Sequence, residues 1–465
     1  MVPPTQSPTD TKTESSESAR YDGLPAPRRH RAVATLIGAM GVTVLDASSV
    51  NVALPEIARS LQASAASVVW VANAYNLTVL VLLLPLSAIT DRIGFRRMFA
   101  AGLLLCLGAA LVAALATSMT QLLTARICQG IGAAMVSCLF AGLVRNIYPI
   151  AKLGHGISVN AMIVGFAAVL GPMIGSAILS IASWPWIFLV NLPIGLLALL
   201  GVRSLPNPPT NKVPFDVMAA LLSMATLGLF IYGLDDLAQR PVLALGLILL
   251  AVLLAVVLLR HTRGQPAPLV PVDLLSHPVI GFAVASSALL FAAQMGTAVT
   301  LPFFFLHVMQ RDYLEIGLLM GGWPIGGALM APLAGRLSDR YSAAFLCALG
   351  AGVMALGLLL LLVIPVTISL VWLLLIMIMT GIGFGFFQTP NNRAMLSLAP
   401  RQRSAAIGGM QATTRVFGQS VGIAGVSIGF GLSETYGVYL GLGAALVFSS
   451  LGVVLNLIRL RDERR

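Results

Sequence analysis

From residue 32 to residue 458 the chain alternates long apolar runs with short polar turns. A helix crosses the hydrocarbon core in about 20 apolar residues, because in lipid each backbone N–H and C=O must be satisfied inside the segment. Fourteen runs meet that length: 32–54, 68–89, 98–116, 121–147, 156–181, 186–204, 215–235, 242–260, 279–306, 314–335, 343–364, 368–389, 405–431 and 436–458. The pattern predicts fourteen membrane-spanning helices joined by short loops.

Two of the turns nearly repeat. Ser87-Ala-Ile-Thr-Asp91-Arg92-Ile-Gly94-Phe-Arg96-Arg97 precedes the third run, and Gly335-Arg-Leu-Ser-Asp339-Arg340-Tyr precedes the eleventh. The repeat implies duplication, yet Asp91 and Asp339 lie too far apart for six helices with short loops. Pro206, Pro208, Pro209 and Pro214 lead into the seventh run, and Gln265-Pro-Ala-Pro-Leu-Val-Pro271 follows the eighth, so prolines bracket one helix pair. Setting that pair aside leaves six plus six. The expected organisation is a disordered tail at 1–31, a six-helix bundle at 32–204, and a linker with two inserted helices at 205–271. A second six-helix bundle follows at 272–458, then a basic tail at 459–465.

Composition agrees: 58% of residues are hydrophobic and 10% charged, with a mean hydropathy of +0.92, whereas soluble domains carry about 25% charged residues. Lys and Arg concentrate in cytoplasmic loops of membrane proteins. With both termini placed inside, 23 basic residues fall on the cytoplasmic side and three, Arg59, Arg240 and Arg311, outside. Arg126 and Arg415 remain within runs. The net charge of +11 is therefore spread over loops facing lipid headgroups, and a nucleic-acid partner is not expected. Residues 1–27 are rich in Ser, Thr and Pro without an apolar core, and read as a cytoplasmic tail.

Cys106, Cys128, Cys138 and Cys347 sit inside apolar runs without metal-ligand spacing, and the five histidines are isolated, so no metal site is expected. No catalytic constellation appears, and an enzyme is not expected. A phosphate-binding Gly-x-x-x-x-Gly-Lys-Ser/Thr loop is absent, which leaves an ion gradient as the energy source and no cofactor.

Asp46 is the acid placed deep in a run; Asp235, Asp236 and Glu434 are placed at external ends. A carboxylate at mid-membrane costs a few kcal/mol or more unless protonated, paired or hydrated, and so marks function by default. Asp46 either carries a proton or forms a permanent pair with Arg126. Asp91 and Asp339, with Arg92, Gly94, Arg96, Arg97 and Arg340, form either a cytoplasmic gate or a set of topology anchors. Polar residues in other runs, among them Asn51, Gln129, Gln294, Gln411 and Arg415, are candidates for a substrate cavity.

Four stretches resemble motifs of the fourteen-helix drug:proton antiporter branch of the major facilitator superfamily. Leu45-Asp46-Ala-Ser-Ser-Val-Asn51-Val-Ala-Leu54-Pro55 is similar to Leu-Asp-x-Thr-x-Val-Asn-x-Ala-Leu-Pro, with Ser48 in place of Thr. Arg126-Ile-Cys-Gln129-Gly130-Ile-Gly132-Ala133-Ala134 resembles Arg-x-x-Gln-Gly-x-Gly-Ala-Ala without departure. Gly165, Gly171, Pro172 and Gly175 fall where the antiporter signature of the fifth helix has them, although small-residue spacing is also generic to membrane helices. The Asp91 turn is the fourth, lacking the leading Gly. Trp184-Pro-Trp186-Ile-Phe188-Leu-Val-Asn191-Leu-Pro193-Ile-Gly195 also resembles the branch, with Pro185 where Arg is usual; the tryptophans are assigned to the interfacial belt.

The resemblance implies two six-helix bundles plus an inserted pair, and a proton-coupled exporter of small hydrophobic or amphipathic compounds that works by alternating access. Asp46 and Arg126 would couple protons. The expected setting is the cytoplasmic (inner) membrane, as a monomer, with or without accessory efflux proteins. A dedicated exporter of a metabolite, amino acid or siderophore is the alternative within transport; a membrane receptor or scaffold is the alternative outside it.

Overall fold

A computed structural model describes residues 23–149, 167, 169–207, 215–263, 278–338, 340–397, 404–433 and 435–463. Gly165, Asp339, the side chain of Asp91, residues 1–22 of the tail and parts of both proline-rich linkers lie outside the described residues. The described residues are helical with short turns and contain no strand.

The first half holds α1 (Ala26–Ser60), α2 (Ala65–Ile93), α3 (Phe95–Ala114) and α4, which runs Met119–Ser137 and resumes at Phe140–Ile147. Then come α5 (Val169–Ile181) and α6, made of Pro185–Leu189 and Asn191–Leu200. The hairpin of α7 (Val217–Asp235) and α8 (Pro241–Thr262) is the inserted pair. The second half holds α9 (Pro278–Phe303), α10 (Tyr313–Leu337), α11 (Ala343–Val363), α12 (Leu370–Ser397), α13 (Ser404–Leu432) and α14 (Gly437–Glu463). Twelve helices among the described residues are long and apolar enough to cross a membrane. With α13 and the apolar stretch α5 they occupy all fourteen predicted positions.

Local chemistry explains several boundaries. Ser64, Ser118, Asp216, Asp312 and Ser342 each accept a hydrogen bond from the backbone N–H three residues on, capping α2, α4, α7, α10 and α11. Gly94 has φ of +90° and turns the chain directly from α2 into α3, a conformation that side chains with a Cβ rarely adopt.

Within the first half, α4 packs against α2 and α3, and α6 against α1 and α3. Within the second, α12 packs on α10 and α11, and α9 on α13 and α14. The halves meet where α2 touches α13 and α1 touches α9, and where Gly317 of α10 lies against Ser176 of α5. We call the side on which odd-numbered helices end the far face. There Tyr313 Oη of α10 donates to Glu56 Oε2 of α1 at 3.0 Å, joining the halves directly.

Three sequence expectations shift. Asp235 does close α7, at a helix end as placed, but it is 5% exposed, because α7 is held between α2 and α13. Arg459, assigned to the basic tail, is buried within α14, which runs on to Glu463; its Nε donates to Glu463 Oε1 and its Nη1 to Asn391 Oδ1. A cation at a membrane edge can turn inward when carboxylate and amide acceptors await it. Trp184 is buried with its indole N–H donated to Ser60 Oγ at 3.0 Å, while Trp186 is exposed, as a belt residue should be.

Candidate functional site

Four helices of the first half converge on Asp46. The carboxylate hangs from the middle of α1 and is 4% exposed; Arg126, from α4, is 1% exposed. Arg126 Nη1 donates to Asp46 Oδ2 at 2.5 Å and to Gln129 Oε1 at 2.8 Å, while Nε donates to the Val71 carbonyl of α2 at 2.9 Å. The second carboxylate oxygen accepts from Gln129 Nε2 at 3.4 Å and from Asn191 Nδ2 of α6 at 3.5 Å. The guanidinium also lies over the ring of Tyr75, 4.4 Å from its centroid. Arg126 and Gln129 share a face one helical turn apart, so one stretch of α4 supplies both the cation and its amide neighbour.

Burial of two charges in lipid is tolerable here because every partner is present. The guanidinium donates to the carboxylate, to the Gln129 amide and to a backbone carbonyl, two amides donate to the carboxylate, and the Tyr75 face adds a cation–π contact. Beside Asp46 a cavity of about 10 Å³ is bounded by Thr43, Tyr75, Cys106, Gln129 and Asn191, a volume that holds about one water. A proton placed on Asp46 would convert an ion pair into a neutral acid beside an unneutralised arginine. The arrangement therefore has two distinct electrostatic states, which is the property a coupling site needs.

The fifth-helix glycines sit directly on the Asp46 helix. A Cβ on Gly171 would overlap Ser48, and one on Gly175 would meet Ser49 at 3.1–3.3 Å. Ser49 Oγ donates to the Gly171 carbonyl at 2.8 Å. On its other side α5 faces α10, where Ser176 and the Pro172 carbonyl lie against Gly317. Thus α5 connects the helix carrying Asp46 with the opposite half, through Gly171, Gly175 and Ser176 and, beside Gly321 of α10, through Met173.

The remaining candidates scatter. Arg96 Nε donates to the Leu205 carbonyl at 2.7 Å, and Arg92 stands over the Phe215 ring, so both hold the segment joining α6 to α7. Arg97 and Arg340 are exposed. Asn51 is buried with its Oδ1 unpartnered among the described residues, as is Gln294 Oε1. Gln411 Nε2 donates to the Asn392 carbonyl. Arg415, partly buried in the middle of α13, makes no ion pair among the described residues and lies in electrostatic range of Tyr75. The structure adds Tyr75 and Asn191 to the site. Asn191 carries a signal, a polar amide in an apolar run, but its partner across 145 positions is set by packing and not by spacing.

The sequence model described as Major Facilitator Superfamily matches residues 36–423. The chain is 39% identical over 448 residues to the uncharacterized transporter YebQ of Escherichia coli (strain K12), covering 95% of this chain and 98% of that protein. It is 27% identical over 398 residues to the riboflavin transporter RibZ of Clostridioides difficile (strain 630), covering 85% and 87%. It is 31% identical over 294 residues to the putative multidrug resistance protein MdtD of Klebsiella pneumoniae, covering 62% and 60%. Among solved structures, a POT family transporter superposes with a TM-score of 0.73 at 16% identity, over 94% of this chain and 96% of that one. A bacterial homologue of the lysosomal transporter Spinster superposes at 0.67 and 14% identity, over 94% and 97%. The all-helical architecture and these matches together identify the chain as a multi-pass membrane transporter belonging to the major facilitator superfamily.

Proposed function

We propose that the protein is a proton-coupled antiporter of the fourteen-helix branch, which exports small hydrophobic or amphipathic compounds across the cytoplasmic membrane by alternating access. The observation that carries this reading is the buried Asp46–Arg126 pair, enclosed by Gln129, Asn191 and Tyr75. A protonatable acid matched to a buried cation gives a proton a place to bind at a residue whose helix reaches the opposite half through α5. The arginine distribution supports cytoplasmic termini, and with them a far face that opens outward. Similarity to MdtD supports multidrug breadth. Similarity to RibZ over more of the chain supports a second reading, a dedicated carrier of one metabolite class.

Purified protein in liposomes with an imposed pH gradient and a trapped pH dye tests these readings. Chemically unrelated amphiphiles are expected to elicit proton flux, and Asp46→Asn to reduce that flux to the level of protein-free liposomes. Response to one compound class alone would establish the dedicated carrier. No compound-dependent proton movement in either direction would end the antiporter reading.

A further inference from the structure

The inserted hairpin stands outside the six-plus-six plan, yet it is not a lipid-facing spacer. Its second helix does face outward, with Val242, Leu245, Leu249 and Leu253 exposed. Its first helix, α7, lies against α2 of one half and α13 of the other. Phe230 of α7 stacks on Phe417 of α13 at 5.8 Å, and Tyr232 of α7 meets Trp70 of α2 at 5.7 Å. Toward the far face, α7 ends in the buried Asp235. Its Oδ1 accepts from Asn73 Nδ2 of α2 at 3.2 Å, and the Trp70 indole of α2 and the Ser427 hydroxyl of α13 lie beside it.

Asp235 differs from Asp46 in having no cation. Among the described residues it forms no ion pair. At this end of its own hairpin the titratable groups are Tyr232, Asp236 and the exposed Arg240, with Arg260 and His261 at the opposite end of α8. At this level α2 offers Trp70 and Asn73, and α13 offers Ser427. Arg415 lies twelve residues deeper in α13, about 18 Å along a helix. Three neutral donors from two halves therefore converge on one acid.

We propose that Asp235 is a proton-released clasp: as a carboxylate it ties the inserted helix to both halves and holds the far face shut, and as a carboxylic acid it lets the halves part. This rests on the proton-coupled reading above. Hydrogen bonds to an ionised acceptor are roughly twice as strong as neutral ones. Protonation turns one oxygen into a donor that faces other donors, so the clasp loses part of its acceptor capacity as well as its charge. Parting α2 from α13 strips the carboxylate of protein partners, and a proton or water must then replace them.

The test is a distance measurement that needs no substrate. Spin labels at Gln62→Cys and Tyr436→Cys, exposed positions at the far ends of α1 and α13, report seam opening in lipid nanodiscs once the four native cysteines are replaced. The parent protein is expected to show a short distance at mildly alkaline pH and a growing long one on acidification. Asp235→Asn is expected to populate the long distance at every pH. Ser427→Ala, a change mild enough to preserve folding, takes the α13 hydroxyl from beside the carboxylate and should move the opening to higher pH. Asp236→Asn should leave the distances as in the parent. Distributions in folded Asp235→Asn that match the parent across the series overturn the clasp, as do parent distances indifferent to pH. Missing proton flux in liposomes, with these distances as expected, would instead sink the antiporter reading alone.

Discussion

Arg126→Ala is expected to abolish coupled transport and to cost the fold about 3–5 kcal/mol, the range measured when one partner of a buried ion pair is removed. The loss is compound. Asp46 keeps its charge without a cation, Gln129 Oε1 and the Val71 carbonyl lose their donor, and the Tyr75 face loses the cation above it. Asp46→Asn should destabilise for the complementary reason, leaving a buried guanidinium with neutral acceptors only. The informative variant is the pair Asp46→Asn with Arg126→Gln. Both charges vanish together, amides remain to hydrogen-bond one another and Asn191, and thermal stability should recover most of what either single change loses. Coupled proton flux should not recover. If the neutral pair restores flux as well as stability, the site is structural and proton coupling resides elsewhere; the thermal midpoint in detergent and the dye signal in liposomes decide the matter.

The sequence made the helices legible because lipid leaves a chain so little choice: a run of twenty apolar residues has one stable form there. It made Asp46 and Arg126 legible as residues in need of partners, since a charge in an apolar run is costly wherever it stands. Their union was an open alternative, because α1 and α4 are joined by packing that no local spacing encodes. The burial of Asp235 was hidden for a related reason. An acid at the end of an apolar run looks like a solvated turn, and only the seating of α7 between α2 and α13 buries it. Arg459 misled in the same way at the end of α14: Glu463 is its i,i+4 neighbour, but Asn391, 68 positions away, was out of sight of the local pattern. Helix existence is a one-dimensional property of this chain, whereas burial at helix ends depends on neighbours far away in sequence.

Gly381→Ala and Gly352→Ala add the same methyl group to neighbouring helices and are expected to change stability in opposite directions. Gly381 of α12 faces the backbone of α10: a Cβ there would overlap the Trp323 carbonyl oxygen and lie 2.7 Å from its carbon. The contact is reciprocal, since a Cβ on Gly326 of α10 would overlap the Ile378 carbonyl oxygen, and one on Gly385 would lie 2.6 Å from that of Gly327. The two backbones touch along this crossing, where small residues let membrane helices approach and gain dispersion contacts that lipid cannot supply. A methyl group must push them apart, and overpacking of this kind costs about 1–3 kcal/mol; Gly381→Leu should leave no folded protein. Gly352 in α11 has nothing within 4 Å of its added Cβ, so Ala there should be neutral or stabilise by up to about 1 kcal/mol through helix propensity. Thermal unfolding of the two variants in one detergent measures the contrast, and equal midpoints would remove the α10–α12 contact from the account of the fold. Transport should follow the same order. Gly317 lies six residues before Trp323 on α10 and seats that helix against Ser176 of α5, so a shift of α10 at Trp323 is passed to the surface on which the two halves must move.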